Sequence, residues 1–166
     1  MNPATTALIL VGYQNDYFAK DGILRGVIEP ASSVDEVLTA SLALLRALAP
    51  TPVSLISTPI VLTPDYRALA APVGILHAIK DSGAFKSGST GADTIPELLA
   101  FGDRIDYVTG KVGFNAFSDT RLGDVLTARG IRDVLVAGMV TSLCIDSTGR
   151  AAYERGYNET VLCDCT

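Results

Sequence analysis

The chain has 166 residues, of which 48% are hydrophobic and 19% charged, and its formal net charge is −5 at pH 7. These values are typical of one folded domain over 1–166 and exclude an intrinsically disordered chain. The negative charge, without a basic patch, argues against a nucleic acid or an anionic membrane as partner. We find no secretory signal and no membrane-spanning stretch, so we expect a cytoplasmic protein.

The chain contains three cysteines and one histidine. An odd number of cysteines in a cytoplasmic setting favours free thiols. Cys163 and Cys165 are two residues apart, a spacing that in principle suits a metal ion. Because His77 is the sole histidine, we expect no metal and no other cofactor.

Apolar runs that predict strands alternate with helical patterns along the chain. The runs lie at 7–11, 53–57, 105–109, 134–137 and 160–163. Uninterrupted apolar runs of this length are typical of strands that are buried on both faces of a parallel sheet. We therefore predict an α/β fold, with a mostly parallel sheet of six strands between helical layers.

The segment 133–157 joins a buried strand to a helix and contains the most suggestive cysteine. Apolar residues recur at helical spacing from about Ser142, so Cys144 falls in the first turn of that helix. Unpaired backbone N–H groups and the helix dipole favour a thiolate there, and the same N–H groups can bind an oxyanion. The alternative is that Cys144 is a small buried apolar residue, as most lone cysteines are.

Ligands of parallel sheets bind beyond the carboxyl ends of the strands. Three loops of this chain are predicted to meet at that edge, after the runs at 7–11, 105–109 and 134–137. Their polar and reactive residues are Gln14, Asn15 and Asp16 in the first loop, Lys111 in the second and Cys144 in the third. A small-molecule substrate is the expected partner of such an edge.

Three segments together resemble the isochorismatase-like cysteine hydrolases, which include nicotinamidases, N-carbamoylsarcosine amidases and isochorismatases. The segments are ALILVGYQNDYF, KVGFNAFSDTRLGDVLTARGI and DVLVAGMVTSLCIDSTGRAAYERGY. The resemblance implies a Rossmann-like three-layer α/β/α sandwich and a single hydrolase domain. It also implies a helix after the last strand, which we expect to be missing or trimmed because the chain stops at Thr166. Relatives are commonly homo-oligomers, so we expect a homo-oligomer here.

The resemblance implies a catalytic aspartate, lysine and cysteine. Lys111 matches the lysine and Cys144 the nucleophile, whereas Gly12 occupies the position of the aspartate. A cis peptide is implied between Met139 and Val140. It would bring the N–H groups of Val140 and Cys144 together as an oxyanion hole.

Other residues of these segments are candidates for the pocket. Tyr17 stands where relatives often place an aromatic residue against the substrate. Asn115 and Phe117 either shape the pocket or pack the loop after the strand at 105–109. Asp16 is interpreted as a loop-capping group, with a substitute for the missing aspartate as the alternative.

We predict a hydrolase that attacks a small amide or a related acyl compound with the Cys144 thiolate. Lys111 would favour the thiolate by its charge, or shuttle a proton if burial lowers its pKa. Loss of a positioned acid or base typically costs about 10²–10⁴-fold in rate. The alternative is therefore an impaired or non-catalytic family member that binds a small ligand or a protein partner. The segment 59–89 would set the choice of substrate.

Overall fold

The computed structural model describes residues 1–25, 30–69 and 71–166, with the backbone alone at 31 and 32. All strand pairs of its sheet are parallel, in the order β3-β2-β1-β4-β5. The strands are β1 (Thr6–Val11), β2 (Ser54–Thr58), β3 (Ile105–Tyr107), β4 (Asp133–Gly138) and β5 (Asn158–Val161). The predicted α/β fold with a parallel sheet is confirmed.

The predicted number of six strands is wrong. Each of the five apolar runs in the sequence supplies one strand, and no other described segment joins the sheet as a strand. The last strand also begins two residues before its apolar run, since Asn158 and Glu159 already pair with Asp133 and Val134 of β4. Backbone pairing does not require an apolar side chain, so the edge strand extends into polar sequence.

Helices flank the sheet and supply its two outer layers. They are α1 (Asn15–Phe18), α2 (Ala31–Leu48), α3 (Ile75–Ser82), α4 (Pro96–Leu99), α5 (Leu122–Ala128) and α6 (Asp146–Glu154). No helix in the described residues has the length and apolar character needed to cross a membrane.

The core is divided into two clusters by the central strand β1. Its side chains alternate, so Leu8 and Leu10 pack with α2 and α3, whereas Ile9 and Val11 pack with α5 and α6. All four side chains are fully buried. Burial of each stabilises the fold by roughly 1.5–3 kcal/mol relative to exposure. The sandwich therefore holds the carboxyl ends of β1 and β4 in fixed positions.

Gln14 joins the loop after β1 to two other loops. Its amide nitrogen donates to the carbonyls of Ile60 and Ala92, each at 2.6 Å, and its amide oxygen accepts from the N–H of Ile60 at 2.8 Å. The side chain is fully buried. Three buried backbone groups thus depend on one amide, which aligns the loops that border the edge of the sheet.

We expect Gln14→Leu to lower the free energy of unfolding by about 2–4 kcal/mol, because it leaves buried donors and acceptors without partners. Urea denaturation followed by circular dichroism measures the change. Asn15→Ala is the matched control, since the amide of Asn15 makes one exposed hydrogen bond, to the carbonyl of Thr90. A loss for Gln14→Leu no larger than that of the control would contradict this role.

Candidate active site

The carboxyl ends of β1 and β4 meet at the point where the strand order reverses. Val11 and Gly138 are paired at the last position of the two strands. Gly138 has φ +123°, and a Cβ at this position would collide with the carbonyl oxygen of Val11. Glycine therefore permits the two strand ends to approach closely. This reversal is where open parallel sheets bind their ligands.

The segment after β4 bends directly into a helical turn that carries Cys144. The Met139–Val140 peptide is cis, as the family resemblance implied. A π-helical turn, Thr141–Ile145, precedes α6. The carbonyl of Val140 accepts from the N–H groups of Leu143 and Ile145, at 3.1 and 3.2 Å. Cys144 is thereby fixed at the start of the helix, with 3% of its surface exposed.

Lys111 lies beside Cys144 at the same edge. Its backbone forms an isolated parallel bridge with Ile60, just beyond β2. Its amine nitrogen Nζ donates to the carbonyl of Gly113 at 2.6 Å and lies 3.5 Å from the Cys144 sulfur. Lys111 is fully buried. The structure thus brings together the two residues that the sequence places 33 positions apart.

Lys111 forms no ion pair with a carboxylate in the described parts of the chain. Burial lowers the pKa of Lys111, because the charged form loses its hydration, and the neighbouring Cys144 offsets part of this effect. A lysine with a lowered pKa can accept a proton as a neutral amine.

A narrow cavity reaches Cys144. Its volume is about 10 Å³, roughly the room that one water molecule needs. Tyr17 and Cys144 contribute its polar side chains, and Gly113 lines it with backbone. The remaining lining residues are all apolar, namely Ile60, Leu62, Ile75, Leu76, Ile79, Val112, Phe114 and Leu143. A substrate larger than water must displace some of these side chains.

The space beside Gly12 is occupied by protein atoms. Gly12 has φ +73°, in the left-handed region, and a Cβ there would lie 3.0 Å from the carbonyl oxygen of Met139. The same Cβ would lie 3.1 and 3.3 Å from two ring carbons of Tyr17. Tyr17 is buried and packs at a tilt on Phe85, with ring centroids 5.0 Å apart. Tyr17 therefore fills the space toward which a side chain at position 12 would point.

Asp16 ties two loops together. Its carboxylate accepts a hydrogen bond from the N–H of Phe85 at 2.6 Å, and it lies where a Cβ at Gly91 would collide with it. This arrangement agrees with the loop-capping interpretation. Asp16 is absent from the residues that line the cavity at Cys144.

Asn115 and Phe117 lie away from the cavity lining. The side chain of Asn115 accepts from the N–H of Phe117 at 2.8 Å. The ring of Phe117 stacks near Tyr157 and lies under the guanidinium of Arg155, 4.8 Å from the ring centroid. Phe114 lines the cavity instead. The sequence offered one signal for Phe114, namely its place in the same loop as Lys111. That signal did not distinguish Phe114 from Phe117, because both aromatic residues lie in the KVGFNAF segment.

Metal-binding side chains do not cluster in the described residues: no group of three or more His, Cys, Asp or Glu is placed to hold an ion. The histidine considered for this role, His77, is exposed on α3 and pairs with Asp81 at 3.0 Å. Cys163 is exposed and Cys165 is buried, and both are free thiols.

These observations define a class of protein, namely an α/β protein with a thiol and a buried lysine at the carboxyl edge of its sheet. The family model that describes the isochorismatase domain matches residues 6–166. A ureidoacrylate amidohydrolase from Methylorubrum extorquens is 30% identical over 174 residues, covering 98% of this chain and 69% of the relative. The chain therefore belongs to the isochorismatase-like cysteine hydrolase family.

Two solved structures share the fold. A cysteine hydrolase from Pseudomonas syringae pv. phaseolicola superposes with a TM-score of 0.77 at 24% identity, over 99% of this chain and 73% of the other. A nicotinamidase from Bacillus subtilis superposes with a TM-score of 0.79 at 19% identity, over 98% of this chain and 86% of the other. At these identities the likeness concerns the fold alone.

We expect Gly12→Ala to destabilise the protein by about 1–3 kcal/mol, since the methyl group meets the Met139 carbonyl and the Tyr17 ring in a strained backbone conformation. Thermal denaturation measures the change. Gly123→Ala is the matched control: Gly123 lies in α5 with nothing near its added Cβ, so alanine should stabilise by about 0.5–1 kcal/mol. A neutral Gly12→Ala would show that position 12 is open.

Lys111→Met should change how stability depends on pH. Between its lowered folded-state pKa and about 10.4, the unfolded chain binds more protons at Lys111 than the folded chain does, so wild-type stability rises with pH. Methionine removes this rise. The free energy of unfolding of wild type should therefore rise relative to that of Lys111→Met by up to about 1.4 kcal/mol per pH unit across this window.

Guanidinium denaturation of both proteins from pH 7 to pH 10 provides the measurement. Lys86→Met, at an exposed lysine, controls for the loss of one positive charge. Parallel stability curves for wild type and Lys111→Met would contradict a lowered pKa for Lys111.

Proposed function

We propose that the protein is an amidohydrolase that acts on small amides or related acyl compounds with Cys144 as nucleophile and Lys111 as acid and base. The observation that carries this proposal is the 3.5 Å separation of the Lys111 nitrogen and the Cys144 sulfur at the end of a cavity. The named activity of the ureidoacrylate amidohydrolase relative supports amides as the substrate class.

The reaction begins with proton transfer from the Cys144 thiol to the neutral amine of Lys111. The thiolate attacks the amide carbon, and the N–H groups of Val140 and Cys144 hold the oxyanion that forms. The C–N bond then breaks, the Lys111 ammonium gives its proton to the leaving nitrogen, and a thioester remains. Water attacks the thioester with Lys111 as base, which releases the carboxylic acid and restores the thiol.

This division of roles accounts for glycine at the position where the family has an aspartate. An aspartate beside Lys111 would hold the ammonium form and lower its ability to accept the thiol proton. Without it, burial keeps the lysine available as a base. The expected consequence is a slow enzyme, because one positioned group does the work that two share in relatives.

A ligand-binding protein without turnover is the second candidate. The observation that favours it is that none of the ion pairs in the described residues includes Lys111, so a second positioned acid or base is missing beside Cys144. Cys144→Ala separates the two candidates, since it abolishes turnover but spares ligand binding. A cytoplasmic location and assembly into a homo-oligomer stay predictions from the sequence.

The rate of alkylation tests the pairing of Cys144 with Lys111. We expect iodoacetamide to modify Cys144 more slowly in Lys111→Met than in wild type at pH 7, because the variant lacks the group that takes the thiol proton. Exposed Cys163 serves as a reference thiol in the same sample, and peptide mass spectrometry separates the two rates. Each rate is compared between wild type and variant, because Cys144 is buried.

Lys111→Met should lower the alkylation rate of Cys144 at least about tenfold and leave the rate of Cys163 unchanged. Ammonia release from a panel of small amides completes the experiment, and Cys144→Ala should abolish it. Equal alkylation rates of Cys144 in wild type and Lys111→Met would refute Lys111 as the base.

A further inference from the structure

The cavity at Cys144 offers a substrate almost no polar surface. Eight of the residues that line it are apolar, and Gly113 adds only backbone. Burial and the nearby Cys144 raise the pKa of Tyr17 far above its ordinary value, so its hydroxyl stays uncharged at any working pH. Among the described residues, two polar side chains therefore border the cavity, and one of them is Cys144, the proposed nucleophile.

No positively charged side chain among the described residues lines the part of the cavity that would hold the acyl group of a substrate. The Lys111 nitrogen is bonded to the Gly113 carbonyl and faces the Cys144 sulfur, so it serves the reacting end. On α3, Ile75, Leu76 and Ile79 line the cavity, whereas His77 is exposed and paired with Asp81. No arginine, lysine or histidine belongs to the described lining.

The absence of a counter-charge has a direct consequence for recognition. A carboxylate on the acyl part of a substrate would leave water for apolar surroundings without an ion pair or a hydrogen-bonding cradle. Such burial carries a large free-energy penalty, whereas an apolar group of the same shape gains from it. The lining therefore discriminates by charge as well as by size.

We propose that the site selects amides whose acyl part is small, uncharged and apolar, and that it rejects acyl parts that carry a carboxylate. This inference rests on the proposed amidohydrolase function and narrows its substrate class. The apolar side chains of α3 contribute to the selection, since Ile75, Leu76 and Ile79 line the cavity together with Cys144. Ile75, the half-buried first residue of α3, lies where a longer side chain can still reach water.

A pair of isosteric substrates tests the selection on the full chain. Succinamate and 4-methylpentanamide have the same heavy-atom shape and the same amide, but the first ends in a carboxylate and the second in an isopropyl group. We expect kcat/KM for 4-methylpentanamide to exceed that for succinamate at least 100-fold. Equal values, or a preference for succinamate, would overturn the proposal.

A variant with an added positive charge provides a gain-of-function readout. Ile75→Arg should raise the kcat/KM ratio of succinamate to 4-methylpentanamide at least tenfold, because it supplies the missing counter-charge. Val73→Arg is the matched control, since Val73 is 81% exposed and is not part of the lining. An equal change in both variants would indicate a long-range charge effect and contradict selection by the lining.

The design also separates this inference from the proposed function. If alkylation of Cys144 depends on Lys111 as expected but succinamate is the better substrate, the inferred substrate class is wrong and the proposed pairing of Cys144 with Lys111 is retained. If neither amide is hydrolysed, the proposed function fails, and the selection is judged by binding. The thermal shift produced by 4-methylpentanamide must then exceed that produced by succinamate at equal concentration, and the reverse order would overturn the inference.

Discussion

The burial of one lysine amine against one thiol is the constraint on which this site depends. Lys111 is surrounded by protein, its nitrogen meets a backbone carbonyl and the Cys144 sulfur, and no carboxylate in the described chain offsets its charge. An ammonium in such surroundings is costly, so burial lowers the pKa of Lys111 and favours the neutral amine. Core clusters on both faces of β1 stabilise the fold against which this cost is set.

Gly12 and the aromatic ring of Tyr17 beside it pack as one unit. A Cβ at Gly12 would press against the Tyr17 ring and the Met139 carbonyl, so the ring and the glycine require each other. Tyr17 also lines the cavity at Cys144, where most of the other lining residues are apolar. The packing at Gly12 therefore helps to position one wall of the space on which the proposed substrate class depends.

Sequence patterns predicted the strands well because buried parallel strands must be continuously apolar, and the family motifs led directly to Lys111 and Cys144. They could not predict contacts between distant loops. The three hydrogen bonds of Gln14 depend on where the loop at Ile60 lies, and the choice of Phe114 over Phe117 for the cavity depends on how one loop turns. The small volume of the cavity depends on lining residues from several separate segments and has no local signal in the sequence.

Titration by ¹³C NMR measures the pKa of Lys111 directly. The Lys111→Met variant identifies the Cε resonance of Lys111. This account predicts a midpoint well below the ordinary lysine value of about 10.4, together with a shift of that midpoint when Cys144 is replaced by alanine. A Lys111 midpoint at or above 10.4, unchanged in Cys144→Ala, would contradict the account, because the amine could then neither accept the thiol proton nor sense the sulfur.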